Sequence, residues 1–127
     1  MQKIQVIGLP GSGKSTQIAK FRNFKPDVQL LDIRLFNGGR RDRLFKQAIV
    51  RTERDLIAES ACGVYVKGSI VVHLKTPMRR VYAQLFKRDG YVDEDYLSLL
   101  STQLIPAQYT IDVPAELPEL LSLLMEK

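Results

Sequence analysis

The stretch that most constrains this chain runs from Gly8 to Thr16 and reads Gly-Leu-Pro-Gly-Ser-Gly-Lys-Ser-Thr. It matches G-x-x-x-x-G-K-S, the phosphate-binding loop called Walker A. The apolar run at residues 3–7 just before it predicts a buried strand, and residues 15–21 after it predict a helix. Glycines allow backbone N–H groups to face a phosphate, and a helix N-terminus adds partial positive charge. The order strand, loop, helix therefore predicts a nucleotide site.

The loop assigns specific roles to its residues. We expect it to bind ATP or GTP together with Mg²⁺. Lys14 is expected to contact the β- and γ-phosphates, and the hydroxyl of Ser15 to ligate the metal ion. The residues predicted to contact the nucleotide are Gly8, Pro10, Gly11, Ser12, Gly13, Lys14, Ser15 and Thr16.

Bulk composition narrows the class of protein. A length of 127 residues predicts one domain, residues 1–127. The single cysteine excludes a disulfide within the chain. With only one histidine in addition, a zinc site is not expected. Because no apolar run is long enough for a membrane span and no signal-peptide pattern opens the sequence, we expect a cytoplasmic protein with no membrane partner. The net charge of +5 suits a protein that handles phosphates, and it also suits nucleic acid.

Strand-like and helix-like segments alternate along the chain. The pattern predicts strands at 3–7, 28–33, 70–74 and 109–113, and helices at 15–21, 40–61, 77–87, 93–104 and 114–125. This alternation is typical of an α/β three-layer sandwich with a parallel central sheet of four to five strands, of the P-loop NTPase type. Only Lys67-Gly68-Ser69 separates the β-rich segment 64–66 from 70–74. Parallel strands need a crossover of about a dozen residues, so 64–66 is not predicted to be a separate parallel strand.

One acidic residue is predicted to lie beside the loop. Ligands of parallel sheets bind at the carboxyl ends of the strands, and Asp32 comes at the end of the second predicted strand. Asp32 is a candidate to orient the acceptor, or to hold Mg²⁺ with Ser15. No further acid appears in 64–67 or 70–74, so the usual second acid of such sites, Walker B, is not found.

A basic stripe follows on the predicted helix 40–61. Its members recur at helical spacing: Arg40, Arg43, Gln47, Arg51 and Arg54. The stripe is either a solvated helix face or a patch for an acceptor phosphate or nucleic acid. Arg34 and Arg40 lie nearest the predicted site and are the candidate acceptor-binding residues.

Several segments together resemble known kinases. The loop, the run Ile70 to Pro77 and the helix ending Lys87-Arg88-Asp89-Gly90 resemble nucleoside monophosphate kinases and especially dephospho-CoA kinases. Shorter matches are Leu31-Asp32-Ile33-Arg34, Ser101-Thr102-Gln103 and Tyr109 to Val113. The resemblance implies that Arg88 belongs to a lid over the ATP phosphates, which makes Lys14, Asp32 and Arg88 the candidate catalytic residues.

The chain also departs from those kinases. It resembles a shortened form, in which only residues 35–62 are available for acceptor binding. The family's Asp-x-Asp becomes Asp32 with Arg34 at the second position, and Gln84 stands where an arginine is expected.

These features predict ATP-dependent phosphoryl transfer to a small nucleotide-like or other metabolite acceptor. Two alternatives stay open, a kinase for polynucleotides or nucleobases and a non-catalytic nucleotide-binding regulatory module.

Overall fold

A computed structural model describes residues 1–126, and in it these residues form a parallel five-stranded sheet with helices on both faces. The strand order is β2-β3-β1-β4-β5, so the strand that leads into the phosphate loop lies in the middle. This confirms the predicted α/β sandwich. The elements are β1 Lys3–Ile7, α1 Lys14–Phe24, β2 Gln29–Asp32, α2 Arg41–Arg51, β3 Leu56–Ser60, β4 Ile70–Leu74, α3 Met78–Asp89, α4 Glu94–Thr102, β5 Tyr109–Ile111 and α5 Leu117–Met125, with short 3-10 turns at Ile33–Leu35 and Pro114–Glu116.

The hydrophobic core divides between the two faces of the sheet. On one face, Ile4 and Val6 of β1 pack with buried residues of α1 and α5, among them Phe21 and Leu121. On the other face, the buried residues Phe45 and Ile49 of α2 pack against Leu56 and Ala58 of β3, in a cluster that also contains residues of the segment 64–66. Sheets of parallel strands are normally covered in this way on both sides, which explains the long apolar runs in the strands.

The structure overturns part of the predicted helix 40–61. The helix α2 ends at Arg51, Thr52 has extended backbone with φ −69° and ψ 129°, and residues 56–60 form β3 between β1 and β2. The prediction was wrong because the run Leu56-Ile57-Ala58 is buried on both faces, so it lacks the alternation that marks a half-exposed strand. A helix of eleven residues supplies the crossover that parallel β2 and β3 require.

The connection from β3 to β4 is held by a side chain of the sheet. Gln5 of β1 is buried, and its amide nitrogen donates to the carbonyl of Val64 at 2.7 Å while its amide oxygen accepts from the Val64 N–H at 3.0 Å. The same nitrogen donates to the hydroxyl of Ser69 at 3.1 Å. Residues 64–66 therefore lie close to the sheet without being a strand of it, as predicted.

The other predicted elements are found with small changes at their ends. Asp93 caps α4, because its carboxylate accepts from the N–H of Tyr96 at 3.0 Å. The last strand is shorter than predicted and ends at Ile111. Across residues 1–126, every helix is too short or too polar to cross a membrane.

Candidate active site

The phosphate loop packs closely against the end of β4 and against α3. At Gly8 a Cβ atom would lie 2.7 Å from the carbonyl oxygen of Leu74, and at Gly11, with φ +82°, it would lie 2.9 Å from Leu85 Cγ. Both positions therefore require glycine. The hydroxyl of Thr76 donates to the carbonyl of Ser12 at 2.6 Å and ties the loop to the segment after β4.

The loop presents groups that suit a chain of phosphates. Gly13 begins α1 in the left-handed region with φ 95°, and within residues 1–126 no side chain caps this helix end and no acid lies in its first turn. Its amides and its dipole are thus available to an anion. The buried hydroxyl of Ser12 also has no hydrogen-bond partner among the described residues. These features fit a nucleotide's phosphates.

Lys14 is the first residue of α1, and its side chain is partly buried against the loop. The amine donates to the carbonyl of Gly8 at 2.5 Å and to that of Leu9 at 3.2 Å. Burial lowers the pKa of Lys14 to about 8, and the negative charge of Glu59 limits the fall. The amine is therefore a cation at neutral pH that a bound phosphate would stabilise further.

Glu59, which the sequence interpretation missed, lies at the end of β3 beside the loop. In the sheet its neighbours are Val6 of β1 and Asp32 of β2. Its carboxylate accepts a hydrogen bond from the Ser15 hydroxyl at 2.5 Å, and its side chain is only 7% exposed. Burial raises the pKa of Glu59, and the nearby charge of Asp32 adds to that rise. The second acid expected beside a Walker A loop is thus present, on a strand that had been interpreted as helix.

Asp32 is tied to Arg34 by several hydrogen bonds. The guanidinium donates from Nε to both carboxylate oxygens, at 3.1 and 3.0 Å, and from Nη2 to Oδ2 at 2.5 Å. The backbone N–H of Arg34 donates to Oδ1 at 2.9 Å. These bonds hold the pKa of Asp32 below its ordinary value, so the carboxylate is ionised at neutral pH.

Ser15, Asp32 and Glu59 supply the kind of ligands that Mg²⁺ prefers. They offer a hydroxyl and two carboxylates, all hard oxygen donors. Within residues 1–126, no three His, Cys, Asp or Glu side chains form a group that could hold a metal ion. Mg²⁺ is commonly held by one or two carboxylates together with nucleotide phosphates, and this donor set fits that pattern.

The site opens into a cleft of about 780 Å³. The lining of this cleft away from the phosphate loop includes Arg41, Arg88, Tyr91, Tyr96, Leu97 and Leu100. Arg88 lies at the end of α3, where its Nε donates to Asp89 Oδ1 at 3.0 Å, and the two side chains are 58% and 38% exposed.

The structure brings most of the predicted site residues into this cleft. They are Pro10, Gly11, Ser12, Gly13, Lys14, Ser15, Thr16, Asp32, Arg34 and Arg88. Gly8 lies behind the loop against Leu74, and Arg40 is an exposed residue at the start of α2, where Arg41 lines the cleft in its place. The predicted basic stripe is also interrupted, because Arg54 lies beyond the end of α2 and donates to the carbonyl of Asp27.

Comparison with known proteins gives matches in structure alone. No protein-family model and no curated protein matches the sequence. A gluconokinase from Sinorhizobium meliloti superposes with a TM-score of 0.74 at 12% identity, over 98% of this chain and 94% of that one. Shikimate kinase from Acinetobacter baumannii, in complex with shikimate, gives 0.70 at 17% identity over 99% and 94%. The tunicamycin resistance protein of Deinococcus radiodurans gives 0.66 at 16% identity over 96% and 94%.

At these identities the likeness concerns the fold. The narrower resemblance to nucleoside monophosphate and dephospho-CoA kinases stays a prediction. The chain has the fold of the small-molecule P-loop kinases.

Proposed function

We propose that this protein is a kinase that transfers the γ-phosphoryl group of ATP to a small metabolite bound in the cleft. The observation that carries the proposal is the hydrogen bond between Ser15 and Glu59, with Asp32 on the neighbouring strand. It joins the phosphate loop to a buried acid where a metal–nucleotide complex would bind. The structural likeness to gluconokinase and shikimate kinase supports the same reaction class.

On the nucleotide side, the residues act by placing positive charge around the phosphates. Lys14, the loop amides and the N-terminus of α1 would bind the β- and γ-phosphates. Ser15 and Glu59 would hold Mg²⁺, with Asp32 beside them. The metal ion, when bound, neutralises charge that develops on the phosphate oxygens.

On the acceptor side, Asp32 has two roles open to it. It can accept a hydrogen bond from the acceptor's hydroxyl and take up its proton, or it can help to position Mg²⁺. As the acceptor oxygen bonds to the γ-phosphorus, the bond to the β–γ bridging oxygen breaks and ADP leaves. Arg88 would stabilise the charge on the transferring group, and Arg34 would bind an anionic part of the acceptor.

The acceptor's chemical class is narrowed by the cleft wall. Tyr91 and Tyr96 are exposed aromatic side chains that line the cleft, and they offer surfaces on which a nucleobase could stack. This favours the nucleotide-like acceptor over a purely aliphatic one.

A non-catalytic nucleotide-binding role is the second candidate. The ion pair between Asp32 and Arg34 favours this role, because it engages the carboxylate that would take up the acceptor's proton.

An ADP-release assay tests the proposal directly. Purified protein with Mg²⁺–ATP is offered pools of nucleosides, nucleotides, polyhydroxy acids and single-stranded DNA. We expect one small-molecule pool to stimulate ADP release, and Glu59→Gln to reduce that release by about 10²-fold. The matched control is Glu53→Gln, since Glu53 is exposed and lies outside the residues that line the cleft.

The outcomes separate the candidates. Stimulation by DNA alone indicates a polynucleotide kinase. Nucleotide binding without transfer to any pool supports the regulatory module and contradicts the kinase. Equal rates in Glu59→Gln and Glu53→Gln would contradict the assigned role of Glu59.

A further inference from the structure

We propose that Arg34 is a built-in cation that occupies the metal position between Ser15, Asp32 and Glu59, and that a metal ion has to displace it. The proposal deepens the proposed function, because it concerns the same metal position. It assigns Arg34 a role in controlling metal entry, beyond its predicted contact with the acceptor.

The contacts of the guanidinium define the position. Its Nη2 lies 2.5 Å from Asp32 Oδ2, 3.4 Å from the Ser15 hydroxyl oxygen and 3.9 Å from Glu59 Oε2. These oxygens belong to the three side chains with the donor chemistry for Mg²⁺. One nitrogen of Arg34 therefore approaches every protein ligand of the expected metal ion, so guanidinium and metal compete for the same space.

Charge explains why a cation belongs at this point. The side chains of Asp32 and Glu59 are 16% and 7% exposed. Two carboxylates removed from water this far repel each other and lose hydration unless a positive charge lies close to them. Arg34 supplies that charge from within the chain.

Local structure delivers the guanidinium to this position. Asp32 begins the 3-10 turn Ile33–Leu35, and its carboxylate accepts from the backbone N–H of Arg34. The turn brings the Arg34 side chain back over the end of β2 toward Ser15. Its side chain is nevertheless 69% exposed, so it can leave toward solvent without disturbing the core.

The arrangement orders the binding events. A metal ion alone must displace an arginine held by charge-assisted hydrogen bonds. A metal ion that arrives with a nucleotide brings phosphate ligands that compensate for this displacement. The free protein should therefore bind a metal ion weakly. After displacement, the guanidinium of Arg34 would remain near the metal position, beside the acceptor.

A Mn²⁺ titration without nucleotide, followed by electron paramagnetic resonance, tests this competition. We expect Arg34→Gln to bind Mn²⁺ more tightly than wild type by at least about tenfold. The matched control is Arg41→Gln, which removes a positive charge from the same cleft, at a residue for which the described part of the chain shows no salt bridge to these acids. We expect its Mn²⁺ affinity to stay within about twofold of wild type.

A second, more conservative variant distinguishes loss of the guanidinium from a folding defect. Arg34→Lys keeps the charge but lacks the planar guanidinium, whose several N–H groups can bond to more than one oxygen at once. Its Mn²⁺ affinity is therefore expected to lie between those of wild type and Arg34→Gln. Equal affinity in wild type, Arg34→Gln and Arg34→Lys overturns the proposal. So does equal tightening in Arg34→Gln and Arg41→Gln, or failure of Arg34→Gln to bind Mn²⁺. Because the titration contains no nucleotide or acceptor, its outcome is independent of whether phosphoryl transfer is found.

Discussion

The two walls of the cleft are built in different ways. The phosphate wall comes from one continuous segment, residues 8–16, whose backbone is held by close glycine packing and by the Thr76–Ser12 hydrogen bond. The acceptor wall, which is the lining of the cleft away from the phosphate loop, comes from side chains that are far apart in the sequence, such as Arg41, Arg88 and Tyr91, and these are exposed. The difference indicates that nucleotide binding and acceptor selection are separable. Changes on the phosphate wall should affect both, whereas changes on the acceptor wall should affect transfer alone.

Lys14→Ala should have the largest effect. It removes the cation between the phosphates, so turnover should fall about 10³-fold and nucleotide affinity should fall with it. Steady-state kinetics and a nucleotide titration measure the two losses. Lys20→Ala is the control, because Lys20 is an exposed lysine of α1 beyond the loop. A folded Lys14→Ala protein with unchanged affinity and turnover would disprove the nucleotide site.

Asp32→Asn should come second. It keeps the shape of the side chain and removes its charge, so turnover should fall roughly 10²-fold. Nucleotide affinity measured without metal should change little, since Lys14 and the loop amides are expected to make those contacts. A wild-type rate in this variant would remove Asp32 from the mechanism.

Arg88→Ala should have a smaller effect, on the rate of transfer. Its guanidinium is exposed and shared with Asp89, so we expect about a tenfold fall in kcat with nucleotide affinity nearly unchanged. Arg79→Ala is the control, because Arg79 is an exposed arginine of the same helix that is not among the residues lining the cleft. If both variants lose activity equally, the effect is one of net charge, and the lid assignment for Arg88 is wrong.

The pH dependence of nucleotide binding should be the smallest effect. With a pKa of about 8, Lys14 is about half protonated in the free protein at pH 8, and phosphate binding should complete its protonation. Binding should therefore take up roughly half a proton at pH 8, and affinity should weaken as the pH rises further. Calorimetry in two buffers of different ionisation enthalpy measures the uptake, and equal heats in both buffers would contradict it.

Local signals made the phosphate wall predictable from the sequence. The strand, the glycine pattern and the helix adjoin one another, so each element supports the next in residues 3–24. Asp32 was also placed correctly, because the carboxyl ends of parallel strands meet at one edge. Its pairing with Arg34 was not predicted, since it depends on a 3-10 turn that the pattern does not specify.

The middle of the chain was misread because nonlocal pairing decides its structure. Phe45, Ile49, Thr52 and Leu56 keep a helical spacing, so the apolar stripe of α2 seems to continue into β3. The polar run Thr52 to Asp55 was the available signal for a break. Because β3 was not predicted, Glu59 fell within a predicted helix, and its position beside the phosphate loop did not follow from the sequence pattern.

The close packing of α3 on the loop limits how the site can close. Gly11 lies so near α3 that a Cβ there would meet the Val81 carbonyl at 3.1 Å and Leu85 Cγ at 2.9 Å. A rigid swing of the whole helix would therefore either clash with the phosphate loop or open a gap in the packing between them. Any movement that carries Arg88 over a nucleotide would therefore have to bend α3 between Leu85 and Arg88, within the last turn of the helix. Closure by Arg88 would then be a short-range motion of the helix end.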